Sequence, residues 1–297
     1  MKEQEKEQEK EKVKASVIIA VYNHFNWLRL ILDALRMQTE KNFEVVIADD
    51  GSNAETVAAI KDYMQSHPEL RIVHSWQEDK GWQKNKSLNK AVRASSADYL
   101  IFFDGVCLPH PRFVEDHLAL REKGTVLGGR RVDMNASTSD KVARMESLPK
   151  DYFRKIRREV LRSTFKQSLP ETMSQFRRTI HFPRPFGKGI LITEGGFFGC
   201  NFSIFRSDLE KVNGFDERYP DPGTGEDTDL DLRLENAGIR HKRFSHYALM
   251  LHRKHKRLVF DSKENARLLR EAREKKLTYV ETGLNRKPEE NKEKSEG

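Results

Sequence analysis

Acidic side chains are the residues of this sequence best placed to do chemistry. Asp49 and Asp50 follow the apolar run FEVVIA, and Asp104 follows YLIFF. Carboxylates at the ends of buried strands can hold a ribose or base, coordinate a hard divalent cation, or act as a general base. Asp50, directly ahead of Gly51 and Ser52, also suits a plain turn. A second group, Glu226, Asp227, Asp229 and Asp231, falls inside GTGEDTDLDLRLENAG at 223–238. Acids in a first helical turn favour the macrodipole, but four so close together exceed what capping needs. The Gly/Pro-rich stretch YPDPGTGE at 219–226 suits a loop that gates a substrate. Beyond HYALML stand His252 and His255. Either could complete a carboxylate-bound metal site, or simply belong to the basic cluster HRKHKR. Neither G-x-G-x-x-G after the first apolar run nor a G-x-x-x-x-G-K-[ST] motif occurs, so dinucleotide and P-loop phosphate cradles are excluded.

Regular elements must bring these groups together. The apolar, β-rich runs at 16–22, 43–50 and 99–104, with RIVHS at 71–75, predict four strands. Between them, Leu28, Ile31, Leu32 and Leu35 share one helical face, Ser52 or Asn53 caps a helix to about Ser66, and a third helix spans about 83–94. Asn23 is placed to cap the first helix, and Pro111 to open a further one at 111–123. Helices alternating with strands that lack polar alternation imply a parallel sheet covered on both faces. Ligands of such sheets lie at the carboxyl ends of the strands. Asp49, Asp50 and Asp104 should therefore share one rim.

The chain of 297 residues has a net charge of +8 and a charged fraction of 34%, above the roughly 25% of typical globular domains. The Lys/Glu-rich ends, 1–14 and 285–297, cannot bury apolar area and are expected to be solvated tails. The positive excess is internal, in a strip from Lys150 to Lys188 that suits phosphates, anionic lipid or acidic polymers, or else an ordinary solvated helix face. No apolar run of about 18 residues predicts a membrane span, and the first residues contain no secretory core. Cys107 and Cys200 cannot build a disulfide framework and are expected to be inert buried thiols. A soluble, cytoplasmic protein follows, and no nucleic-acid module is present.

Three blocks carry a resemblance. ASVIIAVYNHFNWLRLILDALRMQTEKNFEVVIADDGS, DKGWQKNKSLNKAVRASSADYLIFFDG and GCNFSIFRSDLEKVNGFDERY with the later GEDTDLDLRL resemble family 2 glycosyltransferases of the GT-A fold. The likeness is strongest to bacterial members with a galactosyltransferase-like C-terminal half, as in chondroitin-polymerase-like and capsule or O-antigen enzymes. It implies an α/β, mostly parallel, Rossmann-like sheet in one large domain. Residues 15–133 would bind nucleotide-sugar, and 134–260 the acceptor and base, with a basic helical insertion at 140–188. A C-terminal helix and tail would follow at 261–297. The implied activity is inverting transfer of Gal, GalNAc, Glc or GlcNAc from a UDP-sugar to a saccharide or lipid-linked saccharide hydroxyl.

By that resemblance Ala20, Tyr22 and Asn23 line the nucleotide pocket, and Asp49 or Asp50 bonds the base. Lys84 meets phosphate with Asn89 supporting it, and Asp104 is the first acid of the family's D-x-D. Asp227, with Glu226, stands at the catalytic base; His252 or His255 completes a Mn or Mg site with Asp104; Gly199, Asn201 and Asp229 face the acceptor. The sequence departs at Asp104-Gly105-Val106, where the family's second acid is valine. A cation held by Asp104 and histidine, leaving-group neutralisation by Lys or Arg, and a degenerate binding or scaffold subunit are the three readings of that change. Trp76 and Trp82 could stack on sugars or fill the core, as could Phe197 and Phe198. The basic strip at 150–188 could meet the inner face of a membrane.

Overall fold

The structure is a computed structural model that describes residues 12–165, 168–182, 192–193, 196–197, 199–223, 225–255 and 262–285; for 192–193 and Glu226 it describes the backbone alone. The first half alternates as the apolar runs require: β1 (Ala15–Val21), α1 (Phe25–Arg36), β2 (Phe43–Asp49), α2 (Ala54–Ser66), β3 (Ile72–Trp76), α3 (Lys84–Ala94) and β4 (Tyr99–Asp104). The expected face of α1 is buried in full at Leu28, Ile31, Leu32 and Leu35. Asn53 caps α2 by accepting the Thr56 N–H at 2.9 Å. Asn23 does not cap α1. His24 holds that position in a left-handed backbone conformation, and Asn23 instead ties β1 to the turn after β2.

The chain continues through β5 (Cys107–Pro109), α4 (Phe113–Leu120), β6 (Thr125–Gly128) and β7 (Arg130–Asp133). Three helices follow, α5 (Ala136–Ala143), α6 (Tyr152–Phe165) and α7 (Leu169–Arg178). The remainder is β8 (Ile192–Thr193), β9 (Asn201–Phe205), α8 (Arg206–Lys211), α9 (Glu226–Asn236), β10 (Arg240–Phe244), β11 (Leu249–His252) and α10 (Lys263–Glu274). Pro111 falls just ahead of α4 rather than inside its first turn.

Eight strands form one sheet in the order β3-β2-β1-β4-β9-β6-β10-β8. Strands β1 to β4 run parallel, as do β6 and β10. Strand β9 runs antiparallel between β4 and β6, so strands from both halves of the chain share one sheet. A second sheet of three, β5-β11-β7, braces the rim beyond Asp104. Alternation along β1 sends Val17 and Ile19 into one apolar layer with α1. Ile18 enters the opposite layer with Leu88, Phe102, Phe202 and Phe215. Each large aliphatic side chain so buried contributes about 1.5–3 kcal/mol relative to exposure.

Candidate active site

β1, β2 and β4 end side by side, with Ala20 opposite Ala48 on one flank and Asp104 on the other. Immediately after Asp104 the Gly105 N–H donates to the Ala20 carbonyl at 2.9 Å. A Cβ there would lie 2.7 Å from that oxygen, so glycine is required for the chain to leave the sheet at this point. Along the same rim Tyr22, 51% exposed, donates its hydroxyl to Asp79 Oδ2 at 3.0 Å. Trp76, 42% exposed, donates its indole N–H to the Ser52 carbonyl at 3.0 Å. Trp76 is therefore a surface aromatic, while Trp82 is half-buried. Two ring faces at a strand-end rim offer a stacking surface for a base or sugar.

The paired acids of β2 have separate tasks. Asp49 is fully buried; Oδ1 accepts the Ser52 N–H at 2.8 Å and Oδ2 meets His74 Nε2 at 2.8 Å. It shapes the turn and is withdrawn as a contact for the base. Asp50 accepts Gln77 Nε2 at 2.7 Å and the Gln83 N–H at 2.9 Å, and burial pushes its carboxyl above the usual range. Asp50 thus fixes the start of α3. The Asn23 N–H donates to Ser52 Oγ at 2.7 Å while its Oδ1 accepts the Asn53 N–H at 3.0 Å.

The first residue of α3, Lys84, joins the two halves of the site. Its Nζ lies 3.3 Å from Asp104 Oδ1 and 3.9 Å from Asp227 Oδ1. Two acids separated by more than a hundred residues therefore meet on one ammonium. Asp227 lies in the first turn of α9, deep in the cleft, with its side chain still 36% exposed. Burial raises its carboxyl above the ordinary carboxylate range, Lys84 opposes that rise, and the charge of Asp104 adds to it. α3 is anchored by amides on its inner face. Asn85 donates to the Asp216 carbonyl at 2.7 Å, and Asn89 donates to the Phe215 carbonyl at 2.8 Å and accepts the Phe215 N–H at 3.0 Å.

Gly199 lies against Asp227: a Cβ built on it would sit 1.8 Å from Oδ2. Two expected acceptor-side residues are structural instead. Asn201 is fully buried and spends its amide on the Ala248 carbonyl at 2.9 Å and on His117 Nε2 at 3.2 Å. Asp229 is buried against Arg233, whose Nε reaches it at 2.7 Å and whose other nitrogens donate to the Val212 and Gly214 carbonyls. The Glu226 side chain and Phe198 lie outside the described residues.

His252 stands directly opposite Cys107 in the small sheet, three residues beyond Asp104. Its Nδ1 lies 3.2 Å from Asp133 Oδ1. A carboxylate on one ring nitrogen of a histidine is a common arrangement in metal-binding imidazoles. Asp133 was not singled out from the sequence; its position opposite His252 in β7 is set by pairing between distant segments. His255 is exposed, its ring centroid 5.2 Å from that of His252. Among the described residues, no three His, Cys, Asp or Glu side chains are gathered to hold a metal ion. Asp104 and His252 offer two donors at most, and Val106 adds none. Cys107 and Cys200 are free and buried, as expected.

The parallel strands, the rim and the Asp104–Lys84–Asp227 cleft define a GT-A nucleotide-sugar transferase fold, and the sequence matches glycosyl transferase family 2 over residues 16–209. A second match, to the N-terminal domain of galactosyltransferase, covers 188–256. The chain belongs to glycosyl transferase family 2. It is 31% identical over 234 residues to validoxylamine A glucosyltransferase of Streptomyces hygroscopicus, covering 75% of this chain and 52% of that protein. It is 28% identical to chondroitin synthase of Pasteurella multocida, covering 74% of this chain and 22% of that protein. The chain thus spans about half the length of the first and under a quarter of the second. Among solved structures, a Pyrobaculum calidifontis mannosyltransferase in complex with GDP-Man and Mn2+ aligns at TM-score 0.52 and 17% identity, over 87% of this chain and 61% of its own. S. aureus TarS in complex with UDP-GlcNAc aligns at TM-score 0.55 and 16% identity, over 85% of this chain and 60% of its own. At that identity the likeness establishes the fold.

Proposed function

We propose that this chain transfers a hexose from a UDP-sugar to a hydroxyl of a saccharide acceptor, with inversion at the anomeric carbon. The meeting of Asp104, Lys84 and Asp227 in one cleft carries this reading. Ala20, Tyr22, Asn23 and Asp50 frame the nucleotide, Lys84 and Asp104 stand at the diphosphate, and Asp227 faces the acceptor beside Gly199. The UDP-GlcNAc held by TarS supports the choice of nucleotide. The chondroitin synthase relative supports a polysaccharide product.

The acceptor hydroxyl gives its proton to Asp227 as its oxygen bonds to the anomeric carbon. The bond from that carbon to the diphosphate oxygen breaks on the opposite face, and UDP leaves with the electron pair. Lys84 neutralises charge growing on the diphosphate. The raised carboxyl of Asp227 makes it a stronger base than a free aspartate. Asp104 and His252 would hold a divalent cation, Mn2+ or Mg2+, which when bound adds to that neutralisation. The Mn2+ of the mannosyltransferase complex supports this assignment.

Asp227→Asn is expected to abolish transfer while UDP affinity stays within about twofold, measured by UDP release and by titration calorimetry. Transfer retained above about a tenth of wild type would remove Asp227 from the role. Val106 favours a second reading, a binding subunit without turnover; release of UDP from any of UDP-Gal, UDP-GalNAc, UDP-Glc or UDP-GlcNAc would end it.

A further inference from the structure

A cavity of about 370 Å³ opens between β7 and α7, lined by Arg130, Pro170, Met173, Ser174, Arg177 and Arg178. That volume lies within the usual range of small-molecule pockets. Three arginines line it, and among the described residues none of the three lies within 4 Å of a carboxylate oxygen as an ion pair. The Arg130 Nε is buried without a hydrogen-bond partner. Burial and the like charges of Arg178 and Arg243 make its cation harder to sustain. Arg178 feels the charge of Asp133, but the buried Arg130 Nε has no partner, and a crowded guanidinium left so is unfavourable unless an anion joins it.

The cavity borders an apolar surface, and one of its walls leads by contact toward the proposed acceptor side. Leu169, Met173 and Phe176 recur at one-turn spacing along α7 and are 59%, 49% and 42% exposed. Met173 also lines the cavity itself. From the other wall, Arg130 follows Gly129, whose backbone packs on the Asn201 amide. Asn201 is two residues from Gly199, the residue against Asp227. An oxyanion seated here would lie beside the segment that positions the base, with an attached apolar chain along α7.

We propose that the Arg130, Arg177 and Arg178 cavity binds the phosphate of a lipid-linked acceptor, whose apolar chain lies on the Leu169, Met173 and Phe176 face of α7. This rests on the transferase reading and narrows its acceptor from saccharides in general to glycans carried on a lipid phosphate. Each charge-assisted contact is worth about tenfold or more in affinity.

Calorimetric titration of the full chain with decyl phosphate, below its micellar concentration, tests the site without any need for turnover. Saturable binding by wild type is expected, weakened at least about tenfold in Arg177→Gln/Arg178→Gln. Arg177→Lys/Arg178→Lys should fall between the two, because it keeps charge and loses the planar fork. Met173→Gln should weaken decyl phosphate and leave inorganic phosphate unchanged. Equal binding by wild type and the double glutamine variant, with an unaltered melting temperature, overturns the site. Glucuronate bound as tightly as decyl phosphate overturns the lipid assignment. UDP release from UDP-sugars by wild type is scored separately, so failure of the donor reading leaves its own signature.

Discussion

Replacing Gly199 by alanine should disable the proposed base without touching it. The new methyl would lie 1.8 Å from Asp227 Oδ2 and 2.0 Å from its Cγ, where ordinary contact begins at 3.4 Å. The carboxylate must then retreat by about 1.6 Å (3.4 less 1.8), or the Gly199 segment must move away from it. Either shift breaks alignment with the acceptor hydroxyl. Misplacement of a reacting group by about 1 Å costs about a hundredfold in rate. We expect kcat for transfer to fall at least that far, with UDP-sugar affinity unchanged because Gly199 lies on the base side of the cleft. The assay is UDP release at saturating donor with and without acceptor, paired with calorimetric donor binding. Adding Asp227→Asn to Gly199→Ala should cost nothing further, since the glycine acts only through that carboxylate. Transfer by Gly199→Ala within about threefold of wild type, or a loss that simply adds to that of Asp227→Asn, would refute the reasoning.

Other outcomes follow from the same geometry. Because the folded state raises the Asp227 carboxyl, this group favours folding below the ordinary carboxylate range and loses that contribution as pH rises through the raised value. Asp227→Asn should therefore melt above wild type at neutral pH, and the gap should close near pH 4 in thermal scans. His110 and His117 are driven by burial from 6.5 down to about 3. Their neutral forms support folding above 6.5, and that support is lost as pH falls from 6.5 toward 3; melting temperature should drop across this window, less steeply in His117→Gln. Val106→Asp should raise Mn2+ affinity and the metal response of UDP release about tenfold or more, and an unchanged titration would count against Asp104 as a ligand.

The first half of the fold was readable because each element there is specified locally. β1, β2 and β4 are largely apolar runs, and α1 shows its buried face in a single turn pattern. β9 escaped because NFSIF is five residues long and its partners, Tyr99–Phe103 and Leu127–Gly128, are far away in sequence. Among site residues, Asp104, Lys84 and Asp227 could be placed from the motifs that surround them. Between Asp49 and Asp50, and at Asn201, the sequence could not show which buried polar groups already have partners, here His74 for Asp49 and His117 for Asn201. Asp229 was more accessible: Arg233 stands one helical turn on, a spacing that pairs charges directly. Arg130 gave no signal, since only α7 folding over β7 makes it part of a cavity.

The amide clamps of α3 set a limit on how this cleft can work. Asn85 and Asn89 fasten the helix bearing Lys84 to residues 215–216, a short stretch ahead of α9 and its Asp227. Arg233 of α9 in turn donates to the Val212 and Gly214 carbonyls beside that stretch, so Lys84 and Asp227, the proposed clamp and the proposed base, are tied through one piece of backbone. Opening the molecule to admit sugars cannot widen the gap between them, so recognition must be adjusted at the outer lip, around Tyr22 and Trp76, while the spacing at the reacting centre stays constant.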